Sequence, residues 1–304
     1  MKEATAFSPC HITGFFQIFD QPTDPMYVGS RGAGVSLNRG IKTHVKIIES
    51  LRNSVEIKIN GILSASAEVS EHVIKSFLSK LGKPKNFKIT VEHYVDVPVG
   101  AGFGTSGAAA LSLVLALNEA FELGLPKIEA AKLAHIADVE CKTGLGTVIA
   151  ETFGGLEIRF KPGAPGIGEI RQVSVPKDTT VACLTFGPLS TKKILTDRET
   201  RERINELGGK LVDKLMEDPE LVNFLRLARQ FAEHVGLLSE KVKKVLDATG
   251  DTCFVCSMPM FGESVFTLVE RESLEELVKI FRKHGSDGHI ITSEIDFEGA
   301  RVLR

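Results

Sequence analysis

The sequence predicts an α+β protein of two domains, and three of its stretches lead to that prediction. The first 100 residues are mainly strand-like stretches and turns, such as HVKIIES and VEIKIN, in which apolar and polar residues alternate. A helical pattern begins only after a glycine-rich loop at residues 97–110, and a turn-rich stretch, KPGAPGIGEI, follows near residues 161–172. Strands and charged amphipathic helices then alternate, which predicts a sheet with helices on one face, a ferredoxin-like split βαβ layout.

The elements follow in order from these patterns. The strand KITVEHYVDVPV leads into the glycine loop, and the Ala- and Leu-rich residues 107–121 predict a buried helix. A second helix is expected over residues 127–142, ending at the turn TGLG before the strand GLEIRF. Beyond the turn-rich stretch we expect the strand VACLTF, helices between residues 197 and 248, strands DTCFVCSM and SVFTLVE, the helix SLEELVKIFRKHG and the strand HIITSEI. The predicted domains are residues 1–165 and 172–304.

Composition limits the partners to be expected. The 304 residues carry a net charge of −2, so neither nucleic acid nor a membrane is an expected partner. There is no secretion-like N-terminal pattern and no apolar run of about 18 residues, which predicts a cytoplasmic protein. The five cysteines are scattered and predict reduced thiols, with Cys253 and Cys256 in the core rather than on a metal. The oligomeric state stays open, with a homodimer as one alternative.

The glycine loop VPVGAGFGTSGAAA has the spacing GxGxxG of a dinucleotide fingerprint. A second helix follows instead of a strand ending in an acidic residue, so the dinucleotide interpretation fails. Ala108 and Ala109 stand where a Walker loop needs Lys and Ser or Thr. What remains is a run of glycines and hydroxyl residues before a helix N-terminus, which favours an anion. The loop therefore predicts a phosphate site, with a plain packing turn as the alternative.

The stretch PVGAGFGTSGA resembles the PxxxGLGSSAA motif of the GHMP kinases. The stretches AFSPCHITGFFQI, GSRGAGVSLNRG, AHIADVECKTGLGTVIAE and FGGLEIRF are similar to the archaeal pantoate kinase branch of that superfamily. The resemblance implies the two-domain GHMP kinase fold, with an N-terminal domain like domain 2 of ribosomal protein S5 and a ferredoxin-like C-terminal domain. It also implies transfer of phosphate from ATP, with Mg²⁺, to the primary hydroxyl of pantoate, giving 4-phosphopantoate for coenzyme A biosynthesis.

The resemblance assigns a phosphate and metal site. The residues it places around the ATP phosphates are Pro98, Gly100, Gly102, Gly104, Thr105, Ser106 and Gly107. It implies that Ser106 and Asp138 are the catalytic pair that holds Mg²⁺. Glu140 is the fallback ligand, although it lies two residues from Asp138 and so on another side of the helix.

The resemblance also assigns Ser30, His135 and Arg159 to pantoate, with His11 and Arg31 as further polar candidates. Many GHMP kinases place an aspartate where this chain has Thr147, and threonine is no general base at neutral pH. We therefore expect the substrate hydroxyl to attack without a carboxylate base, with Glu151 as the alternative base. Two other functions stay open: a sibling kinase for homoserine, shikimate or a mevalonate-like alcohol, and a non-catalytic sensor of nucleotide and ligand.

Overall fold

Strands and helices occupy most of the chain. The structure is a computed structural model that describes residues 1–80, 86–189, 191–250 and 252–304. The strands are β1 (Lys2–Phe19), β2 (Gly29–Ser50), β3 (Ser54–Ile59), β4 (Ile62–Leu63), β5 (Asn86–Val95), β6 (Leu156–Lys161), β7 (Glu169–Val173), β8 (Thr179–Pro188), β9 (Gly262–Glu270), β10 (His289–Glu294) and β11 (Arg301–Leu303). The α-helices are α1 (Glu68–Lys80), α2 (Thr105–Ala120), α3 (Lys127–Glu140), α4 (Thr147–Phe153), α5 (Thr191–Thr196), α6 (Arg198–Glu217), α7 (Leu221–Val235), α8 (Glu240–Gly250) and α9 (Leu274–His284). The α+β class is confirmed.

The larger sheet is built on the long antiparallel hairpin of β1 and β2. Its order is β11-β1-β2-β5-β3-β4, and β6 and β7 extend it from the other end of β2. Because β2 has 22 residues, its residues 41–50 pair with β5 while its residues 32–35 pair with β6. Arg159 of β6 lies opposite Gly32, so this pairing brings Arg159 next to the strand that carries Ser30.

The alternation predicted for HVKIIES is confirmed in β2, where Val45 and Ile47 are buried and Lys46 between them is less so. The buried His93 of β5 lies on this inner face. Its Nδ1 is 2.8 Å from the hydroxyl of Thr43, and its Nε2 is 3.0 Å from that of Ser70. Burial lowers the pKa of His93 to about 4, because the imidazole loses the water that would solvate its charge.

Helix α2 is the buried helix that the sequence predicts after the glycine loop, and α3 is the second predicted helix. Both begin and end within about two residues of the expected bounds. Helices α1 and α4 were not predicted. In α1 the signal is present, because Val73, Ile74 and Phe77 have helical spacing and form its buried face. The prediction that helices begin only after the glycine loop is therefore wrong.

The smaller sheet is antiparallel, with the order β10-β8-β9. The strand predicted for DTCFVCSM does not form in the described residues, where a single bridge joins Ser257 to Phe266 of β9. This segment crosses to the larger sheet instead, and the backbone N–H of Met260 donates to the carbonyl of Thr13 (2.9 Å). Its hydrogen bonds are thus divided between the two sheets.

The chain changes sheets between Val173 of β7 and Thr179 of β8, just after the turn-rich stretch. Strand β11 then returns the end of the chain to β1, with Thr5 opposite Leu303. The division into domains at residues 1–165 and 172–304 stays a prediction.

Two sequence expectations concern cysteines and membranes. Cys10, Cys183, Cys253 and Cys256 are free thiols, and Cys256 is buried as predicted. The expectation of a core position for Cys253 is wrong, because this residue is exposed. Over the described ranges, no helix combines the length and apolar character needed to cross a membrane.

Candidate active site

The glycine loop between β5 and α2 is held by hydrogen bonds from both sheets. Gly100, Gly102 and Gly104 have φ of 78°, 89° and 62°, a region that side chains with a Cβ rarely adopt. The loop carbonyls accept hydrogen bonds from the backbone of His11 (3.0 Å to Phe103 O) and Leu189 (3.0 Å to Gly100 O). Ser264 Oγ of β9 donates to the carbonyl of Ala101 (3.1 Å). With its carbonyls held in this way, the loop presents a fixed backbone.

The first turn of α2 offers donors for an anion. The first N–H groups of an α-helix have no partner within the helix, and no side chain caps this helix at Gly104. These N–H groups and the helix dipole favour negative charge at this point. A cavity of about 350 Å³ opens here, and the predicted phosphate residues that line it are Gly100, Gly102, Gly104, Thr105 and Ser106. Gly107 is buried and Pro98 lies at a different pocket, so neither lines this cavity.

Ser106 lines the cavity and contacts Asp138, which is buried behind the cavity wall and lies 32 residues away in sequence. Ser106 Oγ donates to Asp138 Oδ1 (2.9 Å), and Thr143 Oγ1 donates to the same oxygen (2.7 Å). Burial raises the pKa of Asp138, while the hydroxyls of Thr143, Ser106 and Thr147 oppose that shift. The separation of 2.9 Å matches the ~2.9 Å between neighbouring oxygens around Mg²⁺ bound at 2.0–2.1 Å. The residues present therefore fit the implied metal.

The turn TGLG lets Asp138 and Ser30 reach their positions. A Cβ on Gly144 would overlap Asp138 Oδ2 and lie 2.9 Å from Asp138 Cγ. A Cβ on Gly146 would overlap the hydroxyl of Ser30 and lie 3.5 Å from Arg159 Nε. Gly144 thus leaves room for the side chain of Asp138, and Gly146 leaves room for that of Ser30.

Arg159 also lines the cavity, and it belongs to a buried polar network. It is paired with Glu157, and its Nη2 donates to Thr13 Oγ1 (3.4 Å). His11 Nε2 donates to Glu157, with both carboxylate oxygens at 3.1 Å, and Thr13 donates to His11 Nδ1 (3.3 Å). Arg159 Nε has no hydrogen-bond partner and lies near the Ser30 hydroxyl. Arg159 and Ser30 both line the cavity, so one unpaired donor and one hydroxyl remain for a ligand.

His135 and Glu140 do not line this cavity. His135 Nε2 lies 3.1 Å from the carbonyl oxygen of Pro25 and 3.0 Å from that of Val28, so it holds the segment before Ser30. Burial lowers the pKa of His135, which favours the neutral ring. Glu140 is half-exposed and pairs with His72 (2.8 Å). The roles predicted for His135 in substrate binding and for Glu140 as fallback metal ligand stay predictions.

Other cavity residues were missed by the sequence reasoning. Lys142 lies two residues after the end of α3 with a φ of 57°, and it lines the cavity beside Thr143. Four apolar side chains form another part of the wall: Phe16, Leu195, Met260 and Phe261. The last two lie between the predicted strands DTCFVCSM and SVFTLVE, and no local pattern shows that this segment crosses to the larger sheet. Arg31, a lower-ranked candidate, is paired with Asp213 instead of lining the cavity.

Comparisons with known proteins identify relatives of this chain. A family model for the GHMP kinases N terminal domain matches residues 68–155, which include the glycine loop and Asp138. The pantoate kinase of Thermococcus kodakarensis is 36% identical over 280 residues, covering 89% of each chain. That of Methanocaldococcus jannaschii is 34% identical over 276 residues, covering 91% of this chain and 96% of the relative.

A solved structure gives the same result for the fold. It is described as a phosphotransferase related to the CoA biosynthesis pathway, and it superposes with a TM-score of 0.89 at 32% identity over 99% of both chains. The GHMP kinase fold implied by the sequence resemblance is confirmed. The chain therefore belongs to the pantoate kinase family of the GHMP kinases.

Proposed function

We propose that this protein transfers the γ-phosphoryl group of ATP to the primary hydroxyl of pantoate and forms 4-phosphopantoate. One observation carries the proposal. One cavity is lined both by an anion-binding loop that carries Ser106, the partner of the buried Asp138, and by Ser30 and Arg159, whose Nε is an unpaired donor. A phosphate donor and a carboxylate-bearing acceptor would thus meet in the same enclosed space.

The proposed ATP phosphate site, at the glycine loop, uses backbone donors rather than a Walker lysine. The glycine loop and the start of α2 would bind the ATP phosphates, with Lys142 adding positive charge at the rim. Ser106 and Asp138 would hold Mg²⁺, which neutralises charge on the phosphates when it is bound.

The proposed substrate site, at Arg159 and Ser30, suits pantoate in two respects. Arg159 offers a cation for the carboxylate, and Ser30 offers a hydroxyl for the alcohol groups. Pantoate also carries two methyl groups beside its primary alcohol carbon. The apolar wall of the cavity, which includes Phe16 and Phe261, would favour these methyl groups over the charged amine of homoserine.

The transfer forms one bond and breaks one. The primary hydroxyl oxygen of pantoate bonds to the γ-phosphorus, and the bond from that phosphorus to the bridging oxygen of ADP breaks. The hydroxyl proton passes to the transferred phosphoryl group or to water. No carboxylate base lines the cavity in the described chain, and a loose transition state needs little activation of the nucleophile.

ADP release from purified protein tests the proposal. The reaction contains ATP, Mg²⁺ and, in separate wells, pantoate, pantothenate, homoserine, shikimate or mevalonate. We expect turnover with pantoate above all others. Turnover of none of them would refute the kinase proposal and favour a sensor, whereas preference for another alcohol would refute only the substrate.

The proposal includes a cytoplasmic location, which the free thiols of Cys10, Cys183, Cys253 and Cys256 support because thiols persist in a reducing compartment. A homodimer is the remaining expectation from the sequence. Light scattering during size-exclusion chromatography tests it, and a mass of one chain (33.0 kDa) would contradict it.

A further inference from the structure

Glu151 of α4 is a buried carboxylate without a hydrogen-bond partner. Its side chain is fully buried, and neither carboxylate oxygen has a protein partner. Thr147 lies one turn earlier on the same helix face, and its buried hydroxyl makes no close hydrogen bond but is near enough to Asp138 to help lower the pKa of that carboxyl. Buried polar groups are normally hydrogen-bonded, so the unpaired carboxylate of Glu151 needs an explanation.

Both groups lie against the start of α2, beneath the phosphate loop. A Cβ on Gly104 would be 2.8 Å from Glu151 Oε1, and a Cβ on Gly107 would be 2.7 Å from Oε2. The same Cβ on Gly107 would be 2.7 Å from Thr147 Oγ1. Thr147 also lines the cavity, so its hydroxyl lies between the Glu151 carboxylate and the cavity space.

The charges around Glu151 do not balance. Three carboxylates are buried around the site, those of Asp138, Glu151 and Glu157. Arg159 is the one lysine or arginine among the buried residues of the described chain, and it is paired with Glu157. If both were ionised, Asp138 and Glu151 would carry two negative charges with no buried lysine or arginine of the described chain paired to either.

Without a cation at the site, Glu151 is held in its protonated form. Burial raises its pKa well above the usual range, and the charge of Asp138 raises it further, while Arg159 opposes the shift. A divalent cation near Asp138 would balance both charges, and Mg²⁺ commonly keeps several water ligands that can donate to a nearby carboxylate.

We propose that Glu151 is a positioning residue of the metal site, whose carboxylate, together with the Thr147 hydroxyl, strengthens the binding of a divalent cation at Ser106 and Asp138. This inference rests on the proposed function, because it assumes that the cavity takes a metal–nucleotide complex. In this proposal Glu151 of α4 adds to Asp138 the second negative charge that balances a divalent cation.

Titration calorimetry of ADP, with Mg²⁺ and with EDTA, tests the proposal on the wild type and on Glu151→Gln. Removing an outer partner of a metal site commonly costs 10- to 100-fold in metal affinity. We expect Glu151→Gln to lower the affinity for Mg²⁺–ADP about 10-fold or more, and the affinity for ADP in EDTA less than twofold. The matched control is Glu129→Gln, which removes an exposed carboxylate of α3 paired with Lys132 and should change neither value. A loss below threefold with Mg²⁺, or an equal loss in both conditions, would overturn the proposal.

A charge swap separates a role in metal binding from a role in folding. Because residues 147 and 151 share one helix face, the double variant Thr147→Asp/Glu151→Gln should recover Mg²⁺–ADP affinity to within threefold of the wild type. The melting temperature of metal-free Glu151→Gln should equal or exceed that of the wild type, because glutamine keeps the shape of a side chain that has no hydrogen-bond partner to lose. A fall of more than ~4 °C, or no recovery in the swap, would show a structural role instead.

These binding experiments contain no pantoate. Failure of the pantoate assay therefore leaves them interpretable, and an unchanged Glu151→Gln leaves the proposed phosphoryl transfer standing.

Discussion

Gly144→Ala should uncouple the metal pair without removing any of its ligands. Gly144 does not have a left-handed backbone, so alanine meets no backbone strain there. Its Cβ would overlap Asp138 Oδ2 and lie 2.9 Å from Asp138 Cγ. Optimal carbon–carbon contacts are ~3.5–4.0 Å, so the carboxylate has to move by about 0.6–1 Å.

That movement is large on the scale of the site. The hydrogen bonds from Ser106 (2.9 Å) and Thr143 (2.7 Å) fix the position of the Asp138 carboxylate closely. A misplacement of about 1 Å can cost ~10²-fold in rate. We therefore expect kcat for ADP release with pantoate to fall about 10²-fold, and the Mg²⁺ concentration for half-maximal rate to rise.

The control is Gly250→Ala at the end of α8, where a Cβ would meet no atom within 4 Å. It should keep wild-type kcat and thermal stability. A Gly144→Ala enzyme within threefold of the wild-type kcat, with an unchanged Mg²⁺ requirement, would refute the reasoning about Asp138.

Three further predictions concern the metal pair, the substrate cation and a buried histidine. Ser106→Ala and Asp138→Ala should each lower kcat about 10²-fold or more, and Glu140→Ala should change it little; the reverse pattern in the ADP assay would move the metal to Glu140. Arg159→Lys keeps a charge for Glu157 but loses the planar fork, so KM for pantoate should rise about 10-fold or more while KM for ATP changes less than twofold. Because the pKa of His93 is about 4 in the fold and about 6.5 when unfolded, the unfolded chain binds the proton first as pH falls. The free energy of unfolding should therefore drop by about 3 kcal/mol from pH 6.5 to 4, and urea titrations of His93→Gln should lack this part of the drop.

The elements around the site follow from local pattern, and its contacts do not. Helix α2 is predictable because its Ala- and Leu-rich sequence is apolar on all sides, and the glycine spacing before it marks a turn. His135 was expected at the substrate because the sequence resembles the pantoate kinases. In the structure its Nε2 faces carbonyls of residues 25 and 28, more than 100 residues away in sequence, and local spacing carries no information on that pairing.

Glu151 illustrates the same limit from the opposite direction. Glu151 was expected only as an alternative base, and no helix was predicted around it. Only the approach of α4 to Gly104 and Gly107 buries the carboxylate and leaves it without a partner.

The C-terminal part of the chain supplies apolar residues of the cavity wall and also contacts the phosphate loop at the start of β9. A Cβ on Gly262 would overlap the carbonyl of Ala101 and lie 2.6 Å from the Gly102 nitrogen, so glycine allows this close approach. Two residues later, Ser264 donates to the same Ala101 carbonyl (3.1 Å). Gly262 and Ser264 thus both help β9 to pack on the phosphate loop, and the geometry of that loop depends on both sheets.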